Sequence, residues 1–321
     1  LRRPNILTAT LDLNNGTLVI TADETLRVAS PYMGTTLINT SQIVAFNNSG
    51  DSGGVYLKNA IATHDESDTI TILLHESERA QIIPFSGQAG GIYDPNIFTD
   101  ANGETYGGDG VAMLMRFGLG ALFDMGINGN AVSGDILVVE TPDTTRPLIL
   151  KAQINYGTGL VRIWCSETID VTPPSLVNLT QIYVVDETGD RSLPNAVALE
   201  GASINITADS TIVTIRMTET QRVNSILISG VPGGDGTSAV FDAAAPSVRD
   251  VAGNTNPVDL LLNLTIFELP DYIRPTILWA TIDYNTGEVG MGITEQVPDA
   301  NVYLGNMTIG DNRYGNISGF P

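Results

Sequence analysis

Apolar and polar residues alternate with a period of two at three places in this chain. In 3-RPNILTATLDLNNGTLVITADE-24, Leu7, Ala9 and Leu11 alternate with polar residues. The turn Asn14-Asn15-Gly16 follows, and then Leu18, Ile20 and Ala22 alternate in the same way. A period of two predicts strands with one buried face, and the glycine supplies the positive φ that a tight turn demands. The pattern returns in 146-RPLILKAQINYGTGLVRIWCSE-167, with Leu150, Ala152, Ile154 and then Val161, Ile163, Cys165. It returns again in 274-RPTILWATIDYNTGEVGMGITE-295, with Leu278, Ala280, Ile282 and then Val289, Met291, Ile293.

The three segments align without a gap, so Pro4, Pro147 and Pro275 are equivalent, as are Glu24, Glu167 and Glu295. The prolines stand 143 and 128 residues apart, the size of a β-sandwich domain rather than of a short solenoid repeat. Residues 37–43 parallel 176–182, and 304–309 stand at the same place in the third unit. The stretch 69-TITILLHESERAQI-82 parallels 211-TIVTIRMTETQRVNSI-226 and is read as strand, with His75 opposite Met217. Near the ends of the units, 98-FTDANGET-105 is matched to 248-VRDVAGNT-255. Residues 107–134 are extra to the first unit, and 111-VAMLMRFGLGALFDMG-126 is the only stretch that reads as a short helix, and equally as a buried strand and turn. The third unit has its opening hairpin but no counterpart of 211–226, so another subunit or further chain is expected to cover its apolar face.

Composition narrows the class. The chain has 321 residues, 42% of them hydrophobic and 16% charged, which is a globular balance with room for two or three domains. Alanine-, glutamate- and lysine-rich helical stretches are missing. The net charge of −21 opposes nucleic-acid binding and suits cations. Cys165 is the only cysteine, so an internal disulfide is excluded; its alignment with Ala22 and Ile293 makes it a small buried hydrophobe. No apolar run approaches the ~18 residues of a membrane span. The opening 1-LRRPNIL does not read as a signal peptide, which fits a chain already processed or lacking its true N-terminus.

One run suggests catalysis: 50-GDSGG-54 matches the sequence around the nucleophile of trypsin-like proteases. A nucleophilic Ser52 needs a histidine base, and the two histidines, His64 and His75, both follow it in the chain, the reverse of that family's order. The run aligns with 189-GDRS-192 and 310-GDNR-313, so it reads as a Gly-Asp turn. No phosphate loop or His/Cys metal cluster is present, and no enzyme is expected.

Two kinds of site remain. Asn-X-Ser/Thr sequons fall at Asn15, Asn39, Asn47, Asn178, Asn205, Asn263, Asn306 and Asn316; Asn178 and Asn306 each lie 31 residues after their prolines, and Asn39 is aligned with both. Such sequons accept N-linked glycans in a secreted protein. Hard oxygen ligands cluster in Asp250-Val-Ala-Gly-Asn254 and Asp100-Ala-Asn-Gly-Glu104, with Glu24 and Glu167 at the strand ends; near a domain junction this set suits calcium. No cofactor is otherwise required.

The openings Asp143-Thr-Thr-Arg-Pro-Leu and Asp271-Tyr-Ile-Arg-Pro-Thr resemble the linkers of tandem immunoglobulin-like repeat surface glycoproteins, both adhesin-like and mastigoneme-like. Asp250-Val-Ala-Gly-Asn254 resembles the ending of their repeats. The resemblance implies an all-β fold of tandem Ig-like β-sandwiches: one over 1–143 with inserted loops at 88–134, one over 144–271, and a partial unit over 272–321. It also implies an extracellular or cell-surface glycoprotein, without membrane insertion. The tandem repeats, the truncated third unit and the lack of a catalytic constellation make it the expected protomer of a fibre that assembles head to tail with copies of itself. The alternative is an adhesin or receptor-like ectodomain that binds a glycan or a cell-surface protein through loops 88–134.

Overall fold

The computed structural model describes residues 2–28, 37–48, 53–62, 66–87, 107–186, 191, 196–257, 264–297 and 302–308. Unit one is built from β1 (Ile6–Asp12), β2 (Thr17–Leu26), β3 (Ile43–Phe46), β4 (Val55–Tyr56), β5 (Ile61–Ala62), β6 (Ser67–Leu73), α1 (Glu76–Ile82), β7 (Leu114–Phe117) and β8 (Ile136–Thr141). Unit two repeats that order with β9 (Ile149–Asn155), β10 (Leu160–Ile169), β11 (Ile182–Val185), β12 (Ala196–Ala198), β13 (Ser203–Ile204), β14 (Ser210–Arg216), α2 (Glu219–Leu227), β15 (Val240–Ala243), β16 (Leu264–Thr265) and β17 (Phe267–Leu269). A hairpin of β18 (Ile277–Asp283) and β19 (Glu288–Ile293) follows.

Strand order makes both units immunoglobulin-like. In unit two one sheet runs β13-β14-β10-β9-β17 and the other β12-β11-β15-β16, the D-E-B-A and C-F-G arrangement of an Ig sandwich. The last strand is split in two. β16 pairs with β15 in one sheet, β17 runs parallel to β9 in the other, and buried Ile266 lies between them. In unit one a single strand does both jobs. β8 pairs with β7 through Leu137 and Ile136 and with β1 through residues 138–141, joining all eight strands in one continuous ladder.

The core follows from the alternation. Ala9, Leu11, Leu18, Ile20, Ile70, Ile72 and Val138 face Ile43, Ala45, Met115 and Phe117 in unit one. Ala152, Ile154, Val161, Ile163, Val213 and Ile215 face Ile182, Val184, Phe241 and Ala243 in unit two. Each fully buried aliphatic side chain of this kind contributes about 1.5–3 kcal/mol. Cys165 is buried among them, and burial pushes its thiol up to about 12.

Several expectations need correction. Leu7, Leu150 and Leu278 do not face inward; they are 53%, 58% and 65% exposed. A β-bulge falls on each of them, because the ladder passes from Ile6 to Thr8, from Ile149 to Lys151 and from Ile277 to Trp279. The extra residue flips the register, so Ile6 and Ile149 take the buried place. His75 is not in a strand but caps α1, and its counterpart is Thr218, which caps α2. The stretch 111–126 is strand and turn rather than helix, and the helices lie instead at Glu76–Ile82 and Glu219–Leu227, where a capping box starts each of them.

Residues 114–130 are not an insertion, since they match 240–256 position by position. The isolated bridges Leu26–Asp124 and Phe123–Gly129 recur as Ile169–Asp250 and Arg249–Thr255. The counterpart of Asp250-Val-Ala-Gly-Asn254 is therefore Asp124-Met-Gly-Ile-Asn128, not residues 100–104. Ile127 takes the positive φ (63°) that Gly253 takes in unit two (92°). Asp100, Ser52 and residues 88–106 lie outside the described residues.

Candidate functional site

Helices α1 and α2 begin with the same chemistry. Thr218 accepts from the backbone N–H of Gln221 while the Gln221 side chain accepts from the N–H of Thr218, a capping box; in unit one the His75 side chain accepts from the N–H of Ser77 and the Glu78 side chain accepts from the N–H of His75. This fixes the first turn, which carries Glu76 and Arg79 in α1 and Glu219 and Arg222 in α2.

Arg79 is the hub of a joint between units one and two. Its Nε and Nη2 donate to the two carboxylate oxygens of Glu76 at 2.7 and 3.0 Å. Nη1 donates to the carbonyl of Leu13 at 2.7 Å and to Asp143 Oδ2 at 2.5 Å. Nη2 lies 3.6 Å from Glu167 Oε2. Glu76 Oε1 also accepts from the backbone N–H of Thr168 at 2.7 Å, which ties α1 directly to β10. From the far side, Asn254 Nδ2 donates to the carbonyl of Asp143, and Ala252 packs into the core of unit one.

The joint is then built again. Arg222 donates to both oxygens of Glu219 at 2.8 and 2.7 Å, to the carbonyl of Tyr156 at 3.0 Å and to Asp271 Oδ2 at 2.5 Å. It lies 3.8 Å from Glu295 Oε2, and Glu219 Oε1 accepts from the N–H of Gln296 at 2.8 Å. Every partner of Arg79 on α1, the linker and the next hairpin has its equivalent around Arg222.

Burial separates the two. The side chains of Asp143 and Glu167 are 1% and 7% exposed, against 18% and 16% for Asp271 and Glu295. Burial opposes the charge on Arg79, yet Glu76, Asp143 and Glu167 outweigh it and raise its pKa. Burial raises the pKa of Asp143 despite Arg79 beside it. Burial also raises Glu167 and Asp250, and each gains a further upward push from Asp143. Beside the joint lies a cleft of about 610 Å³, lined by residues that include His75, Glu76, Ser77, Thr168, Asp209 and Val251.

The structure brings three of the expected metal ligands together: Glu167, Asp250 and Asn254. It adds Asp143, which reads in the sequence only as a linker residue, and it leaves out Glu24. Glu24 sits at the far end of unit one and pairs with Arg2 at 2.8 Å. The arginines at the hub were missed as well, although the parallel stretches 69–82 and 211–226 share them.

Among the sequons, Asn15, Asn39, Asn205 and Asn306 are exposed, and Asn47 and Asn178 are half-buried. The amide nitrogen of Asn47 is engaged by Asp109, whereas the Asn39 and Asn178 side chains accept from Ser41 and Thr180. Asn39 and Asn178 both precede a 3-10 turn, over Thr40–Gln42 and Leu179–Gln181. In the third unit Tyr303 takes that place, with the matching backbone, so Asn306 stands three residues out of register with them. Asn263 and Asn316 lie outside the described residues.

No family model matches this chain, and neither does any curated protein. Among solved structures, two chains titled marsupial T cell receptor are similar to it at 8% and 12% identity; each match covers 87% of this chain and 78% or 76% of the other, with a TM-score of 0.16. A likeness at that score carries no argument, and the immunoglobulin-like assignment rests on strand order alone. Among the described residues no helix is long and apolar enough to cross a membrane, which leaves strand-built barrels unaddressed.

Proposed function

We propose that this chain is a structural protomer of an extracellular, glycosylated fibre, in which Ig-like units over 1–143, 144–271 and 272–321 join head to tail. The observation that carries this reading is the joint made twice with the same atoms. A module that reproduces its connection to the next module, through a helix, a short linker and the following hairpin, is suited to setting a fixed angle between successive units. Prolines at 147 and 275 stiffen the linkers.

The hairpin of β18 and β19 supports the second half of the reading. Its apolar residues Ile277, Trp279, Ile282 and Val289 are exposed, at the positions that face the core in the other two hairpins or stand next to them. A second copy that covers this face repeats the contact from chain to chain, and such a head-to-tail contact propagates unless it closes a ring. Glycans on exposed Asn15, Asn39 and Asn205 would clothe the sides of such a fibre.

Electron microscopy of the full chain against a chain ending at residue 271 tests this. Filaments from the full chain and single rods from the shorter one are expected. Filaments from both would remove the hairpin from the contact, and rods from both would reject self-association.

A further inference from the structure

The joint between units one and two holds more negative charge than its arginine balances. Asp143, Glu167 and Asp250 each bring a carboxylate oxygen to within 4.8 Å of the others, and the residues are 3%, 5% and 1% exposed. Glu76 faces them from α1. Four carboxylates against one guanidinium leave a net charge of −3 before any proton or cation is added.

Most of these oxygens have partners. Asp250 accepts from the backbone N–H and side-chain amide of Asn254, and Asp143 accepts from Arg79 and from the N–H of Thr145. Glu167 Oε2 has none. It is buried without a hydrogen bond, and Arg79 Nη2 stops 3.6 Å away. A buried carboxylate oxygen that accepts no hydrogen bond and stands among two other carboxylates is a costly arrangement unless positive charge beyond that of Arg79 is supplied.

We propose that Asp143, Glu167 and Asp250 hold a calcium ion that locks unit one to unit two. The donors are all hard carboxylate oxygens, without sulfur or imidazole, which selects calcium or a similar hard cation over zinc or copper. They come from three separate elements: the linker (Asp143), β10 (Glu167) and the loop before β16 (Asp250). One ion therefore ties all three together. The net charge of −21 raises the cation concentration at the surface. The second joint supplies the contrast: among the described residues only Asp143, Glu167 and Asp250 form such a group, and Asp271 and Glu295 keep more contact with water. The site stands whether or not the chain forms fibres.

Thermal unfolding and titration calorimetry of the full chain, stripped with EDTA and then given calcium chloride or magnesium chloride, test the proposal. Calcium is expected to raise Tm by about 5 °C at saturation, with calorimetric heat of one site per chain. Glu167→Gln and Asp250→Asn are expected to lose the shift while matching or exceeding the EDTA-treated parent in stability, since each removes a buried charge. Glu295→Gln is expected to keep it. Amide exchange at residues 143–145, 168 and 250–254 should slow with calcium, a readout that needs no variant. The proposal is overturned if calcium changes neither Tm nor exchange, which would mean that the acids share a proton instead. It is equally overturned if the Gln and Asn variants keep the full shift.

Discussion

The joints around Arg79 and Arg222 share their geometry and differ in their surroundings. Around Arg79, unit two supplies the whole far wall: Glu167 and Thr168 on β10 and the loop carrying Asp250 and Asn254. Around Arg222 the described far side is Glu295 and Gln296 alone, just after β19, and the Glu219 side chain is 43% exposed. The same hydrogen bonds are therefore made in two dielectric settings. A local sequence pattern builds the joint, but how much the joint matters to stability depends on what is folded over it.

The sharpest way to test that contrast is to remove each arginine. Arg79→Ala strands Asp143 and Glu167 in a buried site, and we expect a loss of about 3–5 kcal/mol in urea unfolding. Arg222→Ala leaves acids that water reaches, and about 1–2 kcal/mol is expected, read most directly as faster amide exchange in 277–293. Equal losses would show that the two joints are energetically alike and would break the comparison.

The paired turns offer a second contrast. Gly253 and Ile127 occupy the same left-handed position, at φ 92° and 63°. A β-branched residue is strained there, so Gly253→Ile should cost about 1–3 kcal/mol by thermal unfolding. Ile127 is 46% exposed, so Ile127→Gly gives up little burial, and a gain of about 0.5–1 kcal/mol is expected. A loss on Ile127→Gly would mean that the Ile127 side chain contributes more than its backbone strain costs.

The smallest effect is expected at Cys165, where unit one has Ala22. Cys165→Ala should shift stability by no more than about 1 kcal/mol, and the thiol of the parent protein should react with Ellman's reagent only on unfolding. Reaction at the rate of a free thiol would place Cys165 outside the core.

Much of this molecule was legible in the sequence. The period-two alternation, the turn glycines and the gapless repeat located three hairpins and put Ala9, Leu11, Ala152 and Ile154 on the buried face. The sequence also carried the capping box at 218-TETQ-221, a short-range signal that reading the stretch as one continuous strand passed over. Leu7, Leu150 and Leu278 misled because a bulge is a property of the pairing between two strands, and alternation along one strand does not contain it. The match of 121–130 to 247–256 was hidden for a related reason: the turns share a backbone and two or three polar anchors, while Ile127 replaces the glycine that marks such a turn. Glu167 and Asp250 were named from their places at a strand end and near a unit's end, but nothing local distinguished them from Glu24 or Asp100. By itself the sequence determined the repeating units and their strands, because periodicity and turn chemistry act over neighbouring residues. Only the tertiary structure decided which acids meet at Arg79, since that requires a helix, a linker and a distant loop to be brought within a few ångströms by packing two cores side by side.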